Sequence, residues 1–348
     1  MKYLCLLLLF VAAACSDNFA PASAVTDFRV VAAKVEVVGE PERANPSADE
    51  PVEVSLLAID RGAPPTQPSL TPWPLQWAFV PCVPLPVTIG PPICLVPIEP
   101  CEGCVAAPPG DPLAEPEMMR FQVPSQAELD QVGAMSILFQ GVVCSNGRPS
   151  EDAILRFVSG ETEDLVLCEG PPTVADQAIE GRFLTVQIPL ERNPADPNLQ
   201  PEILSLLLNG AQWPPPYDQG VPRNSPGSGC AAALEGLTPE QRAAHPRAGD
   251  MSSSIDLSVT QQSLQTYTVD GVQLTEEIQV SWLADGGNFE STFSFIADPA
   301  RSVLTQWEPF ESAPEQGQLV RFNLVLRDGR GGTAWAERGL CVLPALAE

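Results

Sequence analysis

Short apolar runs recur along the chain, many with a polar residue at every second position. A period of two sends successive side chains to opposite faces, so each run reads as a strand with one buried face. The pattern predicts eight strands in the first half: Phe28–Val38, Val52–Ile59, Gln76–Cys82, Met119–Val123, Ser136–Cys144, Ala153–Val158, Asp164–Cys168 and Phe183–Leu190. Eight more follow: Glu202–Leu208, Ser254–Thr260, Leu264–Asp270, Glu277–Leu283, Ser291–Ile296, Val303–Glu308, Leu319–Leu326 and Thr333–Cys341. β-Branched residues with turn signals between them point to an all-β chain built of sandwiches. Only two short helices are predicted. Ser125-Gln-Ala-Glu128 and Thr238-Pro-Glu-Gln241 both fit the capping box, the second with Pro at the first helical position. Each soon runs into Gly or Pro.

The two halves read as copies of one plan. Each opens on an apolar strand, continues to a Trp-bearing strand (Trp77, Trp282), and ends in a hairpin at Asn146-Gly147 or Asp328-Gly329. Asn-Gly and Asp-Gly suit the two left-handed positions of a type I′ turn. The first copy is longer between these marks, which places a Cys- and Pro-rich insertion near residues 83–117. Two tandem domains follow, residues 27–195 and 196–346, the second with an irregular insertion near 211–250.

Composition adds an address. Residues 1–14, MKYLCLLLLFVAAA, put one lysine before an apolar run that ends in small residues, the pattern of a secretory signal peptide. The run is too short to span a bilayer as a mature helix. Ala12-Ala13-Ala14-Cys15 resembles the lipobox of bacterial lipoproteins, which implies a diacylglycerol on the Cys15 thiol and cleavage just before it. Two or three acyl chains would hold the protein firmly to a membrane. Residues 15–26 then form a lipidated tether, and Ser16 rather than Asp after the cysteine implies sorting to the outer membrane. The formal charge is −26, which argues against a nucleic-acid partner.

Cys5 leaves with the signal and Cys15 takes the lipid. Cys82, Cys94, Cys101, Cys104, Cys144, Cys168, Cys230 and Cys341 remain, an even number in an exported chain, so disulfides are expected. Eight cysteines allow 105 pairings. Six lie in the first half and two in the second, so Cys230 most simply pairs with Cys341. Cys101-Glu-Gly-Cys104 is one C-x-x-C where a zinc ribbon needs two.

Together these features resemble exported lipoproteins of some Gram-negative bacteria that carry two immunoglobulin-like sandwiches behind a lipobox. The shared features are the Trp-bearing strand Glu277–Leu283, the segment Leu324-Val-Leu-Arg-Asp-Gly-Arg-Gly-Gly-Thr-Ala-Trp335 and the connector Arg192-Asn-Pro194. The resemblance implies two immunoglobulin-like β-sandwich domains and no assigned catalysis. Neither copy has a cysteine on its second strand, so the usual inter-sheet disulfide is not implied.

Catalytic motifs are scarce. The one histidine, His245, lies in a polar stretch without a G-x-S-x-G, and no phosphate-binding or dinucleotide motif is present, so no cofactor is expected. No calcium loop of the D-x-D-x-D-G type is present, no metal site is expected, and the densest acids are Glu161, Glu163 and Asp164. Trp73 and Trp213, both beside prolines, could form a ligand platform or cover domain edges. The expected function is non-catalytic: binding, adhesion or scaffolding, with the membrane as one partner and an envelope protein or glycan as another. The alternative is a carbohydrate- or peptide-acting enzyme with a carboxylate site.

Overall fold

The computed structural model describes residues 22–59, 75–84, 94–105, 118–144, 147–150, 166–169, 181–191, 193–221, 230–269 and 271–346. The expected signal peptide, Cys15, Trp73, the strand Ala153–Val158, Asn146 and the acids Glu161, Glu163 and Asp164 lie outside these residues.

Antiparallel sheets with few helices make up the chain. In the first half, β1 (Arg29–Val37), β2 (Pro51–Ile59), β5 (Cys101–Glu102) and β6 (Met119–Gln122) form one sheet in the order β1-β2-β6-β5. The second sheet runs β10-β7-β3-β4, from β3 (Gln76–Pro84), β4 (Cys94–Pro97), β7 (Ser136–Cys144) and β10 (Gly181–Pro189). The ribbon β8 (Arg148–Pro149) with β9 (Cys168–Glu169) lies beside them. Side chains of both sheets meet in one cluster that includes Phe28, Val52, Val54, Trp77, Phe79 and Phe139. All nine residues of β7 are buried, as expected of an apolar central strand with a sheet partner on each side. Gly141 sits opposite Phe79, and a Cβ there would strike the Ala78 carbonyl and the Phe79 ring. That close approach lets Phe79 stack on Phe139 with ring centroids 4.5 Å apart.

The second half repeats the scheme. One sheet runs β12-β11-β13-β19-β17, from β11 (Ile203–Leu208), β12 (Ala211–Gln212), β13 (Ser253–Val259), β17 (Asn288–Phe289) and β19 (Val303–Glu308). The other runs β18-β16-β20-β21, from β16 (Ile278–Ala284), β18 (Phe293–Ile296), β20 (Gln318–Arg327) and β21 (Thr333–Val342). Trp282, Trp307 and Phe322 are fully buried between them, Trp307 meeting Phe322 edge-on at 4.9 Å. Indole nitrogens are satisfied: Trp282 Nε1 donates to Ser294 Oγ at 2.9 Å and Trp307 Nε1 to the Gly286 carbonyl at 3.0 Å. After a 3-10 turn (Gln261–Ser263), the expected strand Leu264–Asp270 forms as β14 (Thr266–Val269), which pairs with an unexpected strand, β15 (Val272–Thr275), in an exposed ribbon. Both capping boxes form, opening α1 (Gln126–Val132) and α3 (Pro239–Ala243). A four-residue helix, α2 (Cys230–Ala233), precedes α3.

The halves are in contact. Val25, Ala32, Leu57 and Ile59 from the first pack on Leu283 and Val325 from the second. β1 is an edge strand, and its outward carbonyls are taken by side chains of the second half: Arg327 donates to the Val31 carbonyl and Gln200 to the Val35 carbonyl. An edge covered in this way is closed to pairing with another chain.

Candidate functional site

All eight candidate cysteines are joined, as Cys82–Cys94, Cys101–Cys104, Cys144–Cys168 and Cys230–Cys341. The last bridge stays within the second half. Cys101–Cys104 lies in the Pro-rich insertion and Cys82–Cys94 ties that insertion to β3; its described parts add β4 and β5 to the two sheets of the first half.

Trp213 corrects the platform reading. It is 5% exposed, meets Phe322 edge-on at 5.3 Å, and donates its Nε1 to the Gly339 carbonyl at 2.9 Å. With ring and nitrogen both engaged, it covers the end of the core rather than offering a face to a ligand.

His245 is likewise committed. Its Nδ1 accepts the Cys341 N–H at 3.2 Å, so the ring proton sits on Nε2 and is donated to the Pro215 carbonyl at 3.0 Å. Burial pushes its pKa below the usual histidine range, which keeps the imidazole neutral. The polar stretch of the sequence is thus a strap, with His245 pinning residues 215 and 341 together.

Buried acids gather where the halves join. Between β20 and β21 the loop 328–332 is longer than the expected two-residue turn, because Arg327 pairs with Thr333. Asp328 organises it. One carboxylate oxygen accepts the N–H groups of Arg330, Gly331 and Gly332 at 2.7, 3.0 and 2.9 Å, and the other accepts Asn198 Nδ2 at 2.9 Å. Glu276 lies close by. It accepts the Gln265 N–H at 2.9 Å and pairs with Arg330 at 2.6 Å, while the Arg330 guanidinium covers the Tyr267 ring at 4.3 Å. Burial raises the pKa of both acids above the ordinary carboxylate range. Each carboxylate is tied to the fold by several donors, so this pair is built as a joint. Spacing alone could not find it, since Asn198 and Asp328 are 130 residues apart.

The clearest feature facing solvent is on β18. Phe293 and Phe295 alternate along this edge strand and stand on its outer face, 47% and 55% exposed. β18 pairs only with β16 within its sheet. An open cavity of about 310 Å³ lies elsewhere, between edge strands β1 and β10, lined by Val31, Val35, Leu184, Val186, Arg327 and Gly331.

No protein-family model matches the chain, and no curated protein matches it.

Proposed function

We propose that the chain is a non-catalytic, lipid-anchored protein of the bacterial cell envelope. In this reading two tandem immunoglobulin-like sandwiches are carried on Cys15 from the outer membrane and hold a binding surface at a distance from it. The observation that supports binding most directly is the outward pair Phe293 and Phe295 on an edge strand of a strongly acidic protein. Large aromatic side chains left in water on an edge suit a protein or glycan partner. Burial of the core by two sheets in each half, with four disulfides, supports a stiff exported body.

A photo-reactive residue in place of Phe293 tests this in intact cells. It should yield one discrete crosslinked product, and crosslinking from an adjacent exposed site should disappear in the Phe293→Ala, Phe295→Ala double variant while its melting temperature stays within about 2 °C of wild type. Unchanged crosslinking in that variant would remove the surface from the proposal. The anchor is tested separately. Metabolic palmitate labelling should mark the wild type and spare Cys15→Ser, and equal labelling of the two would defeat the lipoprotein reading.

A further inference from the structure

Two of the sheet edges are closed by the fold itself. Side chains of the second half take the outward carbonyls of β1. The strap does the same for β21: the Gly339 N–H donates to the Tyr217 carbonyl at 3.0 Å, Trp213 donates to the Gly339 carbonyl, and His245 accepts the Cys341 N–H. β18 is left open, and its register fixes which groups face out. The Trp282 N–H donates to the Thr292 carbonyl at 3.0 Å, in line with the pairs Val280–Ser294 and Ile278–Ile296. Hydrogen-bonded and non-hydrogen-bonded pairs alternate along an antiparallel ladder. Phe293 and Phe295 therefore fall in the non-bonded pairs and turn both N–H and C=O away from β16. Among the described residues none donates to these carbonyls or accepts from these N–H groups. The same two residues carry the exposed phenyl rings. Phe293-Ser-Phe-Ile296 also carries none of the charge, proline or bulge that blunts an edge.

A strand laid along β18 meets backbone partners and two aromatic side chains in one place. Free N–H and C=O groups repeating at alternate residues match a second polypeptide backbone, and a glycan does not supply that repeat. Charge narrows the choice. Exposed Glu290 precedes β18, and exposed Glu277 flanks Ile278, the partner of Ile296. Of the neighbouring arginines, Arg301 pairs with Asp298, and Arg327 donates to Ser281 Oγ and the Val31 carbonyl. A second copy pairing β18 with β18 would set the same acids against each other in a protein of charge −26, so self-pairing is disfavoured. We propose that β18 accepts one extended segment of a partner protein by strand addition. That segment has apolar residues at alternate positions and Lys or Arg at its ends. The inference rests on the reading of Phe293 and Phe295 as the binding surface and names what that surface takes.

The test is a phage library of random peptides, selected on the purified full-length protein and counter-selected on Phe295→Pro. The Phe295 N–H takes no part in the sheet, so proline there removes an outward donor without costing a ladder bond. Enriched peptides should show apolar residues at a period of two with basic ends, and should bind wild type about tenfold or more tightly than the variant. Proline also deletes a phenyl ring and could disturb the strand, so the deciding measurement leaves the protein unaltered. Backbone N-methylation of the selected peptide at its central residues keeps every side chain and removes the donors. It should weaken binding about tenfold or more. No enrichment over Phe295→Pro, or equal binding with and without the N-methyl groups, overturns strand addition. A dimer of the full-length protein that Phe295→Pro dissolves overturns it too, since the edge then belongs to a second copy. Crosslinking in cells that is lost in the Phe293→Ala, Phe295→Ala variant, together with equal binding of the N-methylated peptide, would keep the surface and remove only the added strand.

Discussion

Replacing both Cys230 and Cys341 by alanine should destabilise the protein by about 4–5 kcal/mol in urea unfolding. The bridge spans 111 residues, so in the chain-entropy model it removes more freedom from the unfolded chain than any of the other three. Its place in the fold adds to that. Cys341 is fully buried on β21, and Cys230 opens α2 in a small cluster with Leu234 and Leu319. Trp213 and His245 tie the same stretch to β21 through the Gly339 carbonyl and the Cys341 N–H. These two contacts then have to hold residues 211–250 without the covalent link. Replacing Cys144 and Cys168, whose bridge spans 24 residues, should cost about 3.5 kcal/mol by the same rule. The order of the two losses is the test. An equal or smaller loss for the Cys230–Cys341 pair would mean that the bridge does not act through the unfolded chain, and that Trp213 and His245 already fix the strap.

Legibility follows the range of the interaction that decides each feature. β7 was readable because a central strand is apolar along its whole length, and Ser136–Cys144 is buried throughout. Helices α1 and α3 were readable because a capping box is settled within four residues, and Ser125 with Glu128 and Thr238 with Gln241 close theirs. Trp77 and Trp282 sit in the core, where strand alternation put them. The failures involve partners far along the chain. Asp328-Gly329 carries the local signature of a tight turn. Its carboxylate instead gathers three N–H groups and reaches Asn198, which widens the loop. For Trp213 the sequence left a ligand platform and edge cover both open, and what decides for cover is again distant, the Gly339 carbonyl on β21. Nothing near His245 announces that Pro215 and Cys341 will take both of its nitrogens. β14 lies within the expected strand Leu264–Asp270, but its partner β15 was missed for a different reason. All four residues of β15 are exposed, so it has no buried face to write a period of two into the sequence.

Asp328→Ala is expected to lower stability by about 3 kcal/mol, because it strands Asn198 Nδ2 and three loop N–H groups together. Each lost partner of a buried donor costs about 1–3 kcal/mol, and the loop amides recover part of that from water. Asp328→Asn keeps an acceptor for the loop and removes the charge, so it separates hydrogen bonding from electrostatics. Burial is the main cause of the raised pKa of Asp328, and the hydrogen bonds from Arg330, Asn198, Gly332 and Gly331 offset it only in part. The folded chain therefore keeps this proton to a higher pH than the unfolded chain, whose carboxyl titrates near 3.8. A raised folded value gives a contribution to stability that is complete below the unfolded pKa and is lost as pH rises through the folded one. Asn does not titrate and loses nothing over that window. Glu276, raised mainly by burial, is raised further by the Asp328 charge, so the substitution also eases its ionisation and pushes the difference the same way. The melting temperature of Asp328→Asn minus that of wild type should therefore become more positive as pH rises from about 4 to about 8. A difference that falls over this range would mean that the ionised carboxylate is the favoured form in the folded protein. The loop would then be held by the charge of Asp328 and not in spite of it.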